Sequence, residues 1–173
     1  MSARITSAGR SVLRSRGVRI GLLSAAALLF CAPQAAMAVT PSGVGDTGPI
    51  VSGYRTFKCL DDLGNATAND SPVVISQCNG SAEQNWTIES DGTIQINGKC
   101  MDVHRFSRLN RTMVELYSCS GKPNQQWIAE MDGTLVNTDS GKCLDLPRFN
   151  TTDGTQLEIF TCNSGKNQQW VLP

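Results

Sequence analysis

From about position 50 to its end, the chain alternates short hydrophobic runs with glycine, asparagine and aspartate, and no segment there places apolar residues at helical spacing. Examples of the runs are Val73-Val74-Ile75, Leu116-Tyr117 and Leu157-Glu158-Ile159-Phe160. Runs of this length between turn-forming residues are typical of β-strands. Asp91-Gly92-Thr93 and Asp132-Gly133-Thr134 have the composition of hairpin turns. The pattern predicts an all-β fold.

The hydrophobic runs belong to a unit that occurs three times. Each copy begins with a Cys-hydrophobic-Asp triplet and ends with a second cysteine followed by Gln-x-Trp. The triplets and tryptophans are Cys59-Leu60-Asp61 with Trp86, Cys100-Met101-Asp102 with Trp127, and Cys143-Leu144-Asp145 with Trp170. The two cysteines lie nineteen residues apart in every copy (59 to 78, 100 to 119, 143 to 162). This register defines a threefold internal repeat, with copies at about 50–90, 91–131 and 132–173.

The two ends of the repeat region complement each other. The third copy runs to Pro173 and lacks the Asp-Gly-Thr strand that follows the other two tryptophans, whereas the first copy has an extra apolar segment, Gly48-Pro49-Ile50-Val51. We therefore predict that this N-terminal strand pairs with the end of the chain. Such pairing closes three units around a pseudo-threefold axis, with the tryptophans packed in the core.

The first 38 residues differ in composition and are predicted to be a signal peptide. Five arginines and no acidic residue precede Ile20–Ala32, an apolar run too short to span a bilayer comfortably. Ala36-Met37-Ala38 offers small residues for cleavage, so a secreted or periplasmic chain beginning at Val39 is expected. The length of the run disfavours an uncleaved membrane anchor, and the bulky Phe30 disfavours a lipoprotein modified at Cys31.

Removal of this leader changes the charge balance. Its charged residues are all arginines, so the remaining chain keeps ten basic residues against fifteen acidic ones, a net charge of −5. An acidic chain without a basic cluster argues against nucleic acid and anionic membranes as partners. Residues 39–49, rich in glycine, serine, proline and threonine, are expected to form a short flexible arm before a single domain at 50–173.

Six cysteines remain after the leader, an even number in a chain predicted to be exported, which indicates a disulfide framework. Six cysteines allow fifteen pairings, but equivalent cysteines of a repeat should pair equivalently. The prediction is Cys59–Cys78, Cys100–Cys119 and Cys143–Cys162, each closing a loop worth about 3 kcal/mol in the chain-entropy model. A zinc site is disfavoured because no Cys-x-x-Cys pair exists and His104 is the only histidine. No metal or cofactor is expected.

The pattern Cys-x-Asp … Cys … Asn-Gln-x-Trp, three times at this spacing, resembles the ricin B-type lectin domain over Ile50 to Pro173. The resemblance implies a β-trefoil of three homologous repeats with one disulfide each. It also implies shallow sites, up to one per repeat, for galactose-type or xylan-type sugars. Sugar chemistry fits the residue types, since carboxylates and amides bond hydroxyls while an aromatic ring packs against the C–H face.

Carried over by position, the resemblance implies sugar-binding residues in the second and third repeats. They are Asp102, Glu115, Tyr117, Asn124 and Gln125 in the second repeat, and Asp145, Glu158, Phe160, Asn167 and Gln168 in the third. Phe160 lacks the hydroxyl of Tyr117, which removes one hydrogen bond. The loop residues His104-Arg105-Phe106 and Arg148-Phe149 are interpreted as walls. Two alternatives stay open: the glutamines are structural, or the two aromatics are ordinary surface residues.

The first repeat has lost most of this set. Asp61 and Gln84 remain, but Val74 replaces the acid, Ser76 the aromatic and Glu83 the asparagine. We predict that this site is silent and that its aspartate caps a turn.

The preferred functional hypothesis is a secreted lectin without catalysis whose partners are glycans or polysaccharides. The alternative is a receptor-binding or targeting subunit that acts with a separate toxin or hydrolase chain. An enzyme is disfavoured, because one histidine and no free cysteine leave no nucleophile–base pair. Asp102 with Glu115 would be a nominal glycosidase pair, but the shallow sites of the family are not expected to raise a carboxylate pKa by burial.

Overall fold

The computed structural model describes residues 45–173, where every regular element is a short β-strand or a single 3₁₀ turn. The strands are β1 (Thr47–Gly48), β2 (Val51–Ser52), β3 (Lys58–Asp61), β4 (Ser71–Pro72), β5 (Val74–Gln77), β6 (Trp86–Ile88), β7 (Ile94–Ile96), β8 (Lys99–Val103), β9 (Thr112–Ser118), β10 (Trp127–Ala129), β11 (Leu135–Asn137), β12 (Cys143–Asp145), β13 (Thr155–Gln156), β14 (Glu158–Phe160) and β15 (Trp170–Val171). The 3₁₀ turns are Ala82–Gln84, His104–Phe106, Pro123–Gln125, Pro147–Phe149 and Lys166–Gln168. The predicted signal peptide lies outside the described residues.

In each repeat, the strand that carries the Cys-hydrophobic-Asp triplet pairs antiparallel with the strand that precedes the second cysteine. These pairs are β3–β5, β8–β9 and β12–β14. The register is the same in all three, so the triplet aspartates lie opposite Val74, Glu115 and Glu158 in turn. The aspartate and the acid predicted for each good site are therefore cross-strand neighbours.

Hairpins join one repeat to the next, and the termini close the ring. The β6–β7 and β10–β11 hairpins enclose the two predicted Asp-Gly-Thr turns, and the Asp91 Oδ1 accepts a 2.9 Å hydrogen bond from the Thr93 amide. The third hairpin position is filled by β15 and β2, where Trp170 lies opposite Ser52. This pairing confirms the predicted closure by the N-terminal strand.

The arm predicted at 39–49 needs a correction at its C-terminal end. Thr47 and Gly48 form β1 and pair with Thr87 and Trp86 of β6. Gly48 is buried, and an added Cβ there would lie 3.0 Å from Pro173. This close approach to the other terminus accounts for a glycine in an ordered strand, so only residues 39–44 of the predicted arm lie outside the described part.

A second set of contacts links neighbouring repeats and was not predicted. The short strand β4 pairs with β9, the start of β9 pairs with β14, and β13 pairs with β5. The residue before each of these segments donates its amide to the next repeat: Asp70 to the Leu116 carbonyl, Arg111 to the Ile159 carbonyl and Gly154 to the Ile75 carbonyl, at 2.8–2.9 Å. Each repeat therefore donates one backbone hydrogen bond to a strand of the neighbouring repeat.

The core lies on the axis and contains all three tryptophans, as predicted. Each indole Nε1 donates to the carbonyl of the middle residue of its own triplet: Trp86 to Leu60 at 3.0 Å, Trp127 to Met101 at 3.0 Å and Trp170 to Leu144 at 3.1 Å. Those middle residues are fully buried. The hydrophobic residue of the triplet thus serves the core, and the aspartate beside it faces the other side of the strand.

The three disulfides join the predicted partners, Cys59–Cys78, Cys100–Cys119 and Cys143–Cys162, with Cα atoms 5.1 Å apart in each. Each bridge ties the triplet strand to the loop that leads into the Gln-x-Trp segment. The described part of the chain holds no helix with the length and hydrophobicity that crossing a bilayer requires.

Candidate functional site

Two shallow cavities of about 450 Å³ open beside the β8–β9 and β12–β14 pairs. The second-repeat cavity is lined by Asp70, Asp102, Arg105, Phe106, Glu115, Tyr117, Ser120, Lys122, Asn124 and Gln125. The third-repeat cavity is lined by Arg111, Met113, Asp145, Pro147, Arg148, Glu158, Phe160, Asn163 and Asn167. The fold therefore brings together all the predicted residues of each set except Gln168, which lies behind the cavity wall.

The aspartate at the back of each cavity is held by two side-chain amides. Asp102 is 4% exposed and accepts hydrogen bonds from Asn124 Nδ2 at 2.9 Å and Gln125 Nε2 at 2.7 Å. The third repeat has the same arrangement, with Asn167 Nδ2 at 2.9 Å and Gln168 Nε2 at 2.7 Å from Asp145 Oδ2. The amides hold both carboxylates in one orientation. The oxygen lone pairs of Asp102 and Asp145 that remain free therefore point in fixed directions.

Each glutamine of the Gln-x-Trp segment forms hydrogen bonds within the protein through both its amide nitrogen and its amide oxygen. Gln125 Nε2 also donates to the Ser118 carbonyl at 3.1 Å, and its Oε1 accepts from the Ser120 amide at 2.7 Å. Gln168 and Gln84 make the same three kinds of bond, and all three glutamines are at most 2% exposed. These bonds give the glutamines a structural role that fixes each aspartate to the strand and to the disulfide loop.

Burial raises the pKa values of the cavity carboxylates. The pKa of Asp102 rises to about 6, mainly through desolvation, with a further increase from Glu115 and an opposing effect of the Gln125 hydrogen bond. Burial also raises the pKa of Asp145, Glu115 and Glu158. The expectation that open sites leave these values unshifted is therefore wrong, because the aspartates at the back of the cavities are almost completely buried.

The cavity rims combine aromatic rings with cations. Tyr117 is 40% exposed on β9, two residues from Glu115, and both side chains line the second-repeat cavity. Arg105 and Phe106 form a wall of the second cavity, and Lys122 Nζ lies 5.2 Å from the centre of the Phe106 ring. The 3₁₀ turn that carries this wall has left-handed backbone at Arg105, with a φ of 52°.

In the third repeat the corresponding turn differs in one predicted contact. Arg148 lines the cavity, but Phe149 does not and instead meets the edge of Tyr54, with ring centroids 5.0 Å apart. Only the arginine of the predicted Arg148-Phe149 wall borders this site.

Residues from the preceding repeat complete each cavity and were missed by sequence reasoning. Asp70 borders the second-repeat cavity, and Arg111 and Met113 border the third-repeat cavity. The strand pairing between repeats places them there. Their contribution changes the local charge, because an acid faces Glu115 whereas an arginine faces Glu158 and partly offsets the rise that burial causes in the pKa of Glu158.

In the first repeat, both carboxylate oxygens of the equivalent aspartate accept hydrogen bonds from the protein. Asp61 Oδ1 accepts from the Leu63 amide at 2.8 Å and its Oδ2 from Gln84 Nε2 at 2.9 Å. The turn-capping role predicted for this residue is confirmed. Val74 lies opposite it, so this face offers neither a second acid nor an aromatic ring.

A closed ring of three β-units with polar, aromatic-rimmed surface cavities defines a β-trefoil of the carbohydrate-binding kind. The model of the ricin-type beta-trefoil lectin domain matches residues 46–170. The chain belongs to this family.

Relatives and solved structures agree with this assignment. Agglutinin-1 of Abrus precatorius is 35% identical over 57 residues, which is 32% of this chain and 10% of the relative. The designed threefold-symmetric protein ThreeFoil is 31% identical with a TM-score of 0.65, covering 72% of this chain and 95% of that one. A Momordica charantia protein solved with α-methyl-D-galactoside is 26% identical with a TM-score of 0.65, over 73% of this chain and 46% of that one. The match thus spans about a tenth of the length of the curated relative.

Proposed function

We propose that the protein is a secreted, non-catalytic lectin that binds galactose-type or xylan-type sugars in its second- and third-repeat cavities. One observation carries the proposal: each cavity has a fixed aspartate beside a cross-strand glutamate and an aromatic ring two residues further along the same strand. The galactoside in the Momordica charantia structure supports the galactose-type ligand. Secretion rests on the arginine-rich leader before position 39.

In this proposal the carboxylates accept hydrogen bonds from vicinal hydroxyls of one sugar. Asp102 is ionised at pH 7, since its pKa is about 6, and a charged acceptor forms the stronger bond to a hydroxyl. Tyr117 packs against the C–H face of the sugar and adds its own hydroxyl. Asp145 and Phe160 act in the same way in the third repeat, without that phenolic bond.

The asparagines and glutamines have different functions in the proposed sites. Asn124 and Asn167 line the cavities and contact both the aspartate and the ligand. Gln125 and Gln168, predicted as sugar-binding, act instead as positioning residues, because protein atoms already occupy their donors and acceptors.

The raised pKa of Asp102 beside Glu115 is the one observation that favours a glycosidase. A general acid must hold its proton near pH 7, whereas two N–H donors to Asp102 favour the ionised form. Glu115 accepts a hydrogen bond from His104 Nδ1 at 2.8 Å, which also favours the carboxylate. We therefore expect no turnover of aryl glycosides at pH 7–8, and hydrolysis abolished by Asp102→Asn would overturn the non-catalytic proposal.

Titration calorimetry against galactose, lactose and xylo-oligosaccharides tests the lectin proposal. The expected stoichiometry is about two, reduced to one by Asp102→Ala or Asp145→Ala and lost in the double variant. Asp61→Ala is the matched control, because it removes the equivalent carboxylate of a repeat that should not bind sugar. Heat signals that Asp102→Ala and Asp145→Ala leave unchanged would contradict the assignment of the sites.

A targeting subunit is the second candidate, because this chain covers only 46% of the Momordica charantia structure and 50% of the Abrus precatorius agglutinin structure. Trefoils of this kind therefore occur as parts of longer chains. Co-purification of a toxin or hydrolase chain, with no sugar binding by the isolated protein, would favour this alternative.

A further inference from the structure

The edge of the second-repeat cavity brings together three residues with metal-binding side chains. Asp70, His104 and Glu115 each offer one ligand atom, and these atoms lie within 4.8 Å of one another. We propose that these three residues bind a divalent transition-metal ion of the Zn²⁺ class. The proposed ion would sit at the lip of the cavity.

The donor set fits this class of ion. One imidazole nitrogen with carboxylate oxygens suits Zn²⁺, which takes His nitrogen at about 2.0–2.1 Å and Asp or Glu oxygen at about 2.0–2.2 Å. Ligand atoms of a tetrahedral site lie roughly 3.4 Å apart at such bond lengths. His104 Nδ1 lies 2.8–2.9 Å from the Glu115 oxygens, so an ion would replace the proton of this hydrogen bond and move these atoms slightly apart. Three protein ligands leave a fourth position for water or a ligand hydroxyl.

The three proposed ligand residues differ in their exposure to solvent. Glu115 is buried and fixed on β9, whereas His104 is half-buried and Asp70 is exposed. An ion can therefore reach the site from solvent. Asp70, which belongs to the first repeat, and Glu115 are both negatively charged and repel each other. A bound cation would reduce this repulsion.

A second observation comes from the amide at the back of the same cavity. Asn124 is 2% exposed, and its Oδ1 has no hydrogen-bond partner among the described residues, although its Nδ2 is bonded to Asp102. An unpaired buried carbonyl requires a donor. A metal-bound water or a sugar hydroxyl in the cavity would supply that donor.

The third repeat lacks two of the three ligands and acts as an internal control. Glu158 corresponds to Glu115, but Pro147 stands at the position of His104, and Arg111 stands at the position of Asp70. An arginine repels a cation at that place. Within the described residues, the set of His, Asp and Glu therefore occurs at the second-repeat cavity alone.

A consequence for sugar binding rests on the proposed function. The free position of the ion would accept a sugar hydroxyl, so binding in the second repeat would respond to Zn²⁺ and to chelators. Binding in the third repeat would not. Both cavities would thus bind sugar through an aspartate, but only sugar binding in the second repeat would depend on the metal ion.

Calorimetry with ZnCl₂ alone tests the site without any sugar. We expect one ion per chain, with an affinity reduced at least tenfold by His104→Ala and by Asp70→Asn. Arg111→Ala and Pro147→Ala, at the equivalent positions of the third repeat, should leave the affinity unchanged. Because His104 is the only histidine, its imidazole NMR signals should shift on addition of Zn²⁺ and return with chelator.

Several outcomes would overturn the site: no zinc binding, zinc binding that both substitutions leave unchanged, or imidazole signals that do not respond. Thermal unfolding of the variants shows whether they remain folded, and the partly exposed positions of His104 and Asp70 make this the expected result. Sugar titrations distinguish the two proposals. Zinc binding without sugar binding overturns the lectin proposal alone, whereas sugar binding by a chain that takes no zinc overturns the metal site alone.

Discussion

Asp61, Asp102 and Asp145 occupy the same position in three repeats, yet their cross-strand neighbours give them different chemistry. Opposite Val74, the first aspartate caps a turn by accepting a hydrogen bond from the Leu63 amide. Opposite Glu115 and Glu158, the other two accept hydrogen bonds from side-chain amides, line a cavity and have raised pKa values. The cross-strand residue is thus one of the differences between a turn-capping aspartate and a candidate ligand-binding carboxylate.

The raised pKa of Asp102 predicts that sugar binding in the second repeat weakens as pH falls through about 6. Protonation removes the charged acceptor, so affinity should fall roughly tenfold between pH 7 and pH 5. Burial also raises the pKa of Asp145, so binding in the third repeat should weaken with falling pH as well. Calorimetry on Asp145→Ala and Asp102→Ala, which leave one site each, measures the two profiles. Second-repeat binding that does not weaken between pH 7 and pH 5 would contradict this prediction.

The loss of binding at pH 5 should not be a loss of fold. A carboxyl whose pKa is higher in the folded protein than in the unfolded chain binds its proton more tightly when folded. The contribution of Asp102 to stability therefore increases as pH falls from about 6 toward the unfolded value. A thermal midpoint that is no lower at pH 5 than at pH 7 provides the control.

A substitution of Gln84 measures the structural role of the Gln-x-Trp segment separately from sugar binding, because the first repeat should bind no sugar. Gln84→Ala leaves Asp61 Oδ2, the Gln77 carbonyl and the Asn79 amide without their partner. We expect a loss of about 1–3 kcal/mol in the free energy of unfolding, with both sugar sites intact. Urea denaturation gives the first quantity and calorimetry the second. Gln125→Ala is the matched variant and should lower both stability and second-repeat binding.

At the scale of elements, each disulfide fixes one triplet strand to one Gln-x-Trp segment. Replacement of the first bridge by Cys59→Ala with Cys78→Ala should cost about 3 kcal/mol. The thermal midpoint should fall on the order of 10 °C. Sugar stoichiometry should stay at two, because the second and third repeats keep their own bridges. Loss of sugar binding at a temperature where the variant is folded would show that the repeats do not act as separate units.

The elements that the sequence predicted well are those with an apolar pattern or a repeated cysteine. The hairpins, the closing strand and the disulfides follow from hydrophobic spacing and from register between copies. β4 and β13 could not be predicted, since Ser71–Pro72 and Thr155–Gln156 are two-residue strands without an apolar signal. Their partners lie in another repeat, at a distance along the chain that no local pattern encodes.

This gap explains what was missed at the sites. The aspartates, glutamates, aromatics and amides occur in register within each copy, so comparison of the copies finds them. Asp70 and Arg111 reach the cavities across a repeat boundary and have different chemistry, so no shared motif identifies them. The buried position of the aspartates, which raises their pKa values, was likewise beyond sequence patterns because it depends on the strand packed opposite.

At the scale of the whole molecule, the pseudo-threefold axis relates two similar cavities on one rigid trefoil. A shallow single site binding a sugar near millimolar strength provides only about 4 kcal/mol. A single sugar fills only one of the two cavities, because different repeats supply most of their lining residues. A polysaccharide or a dense glycan surface can occupy both, and the second contact is then intramolecular.

We therefore predict that affinity for a glycan-coated surface exceeds affinity for the free sugar by about 10²–10⁴. Asp145→Ala should remove nearly all of this gain while reducing the calorimetric stoichiometry with free sugar by only half. Surface plasmon resonance at several glycan densities measures the gain, which should disappear at low density, where neighbouring sugars are too far apart to bridge. Asp61→Ala should retain the density dependence. A single-site variant that keeps half of the surface affinity would mean that the two cavities bind independently, even on a multivalent target.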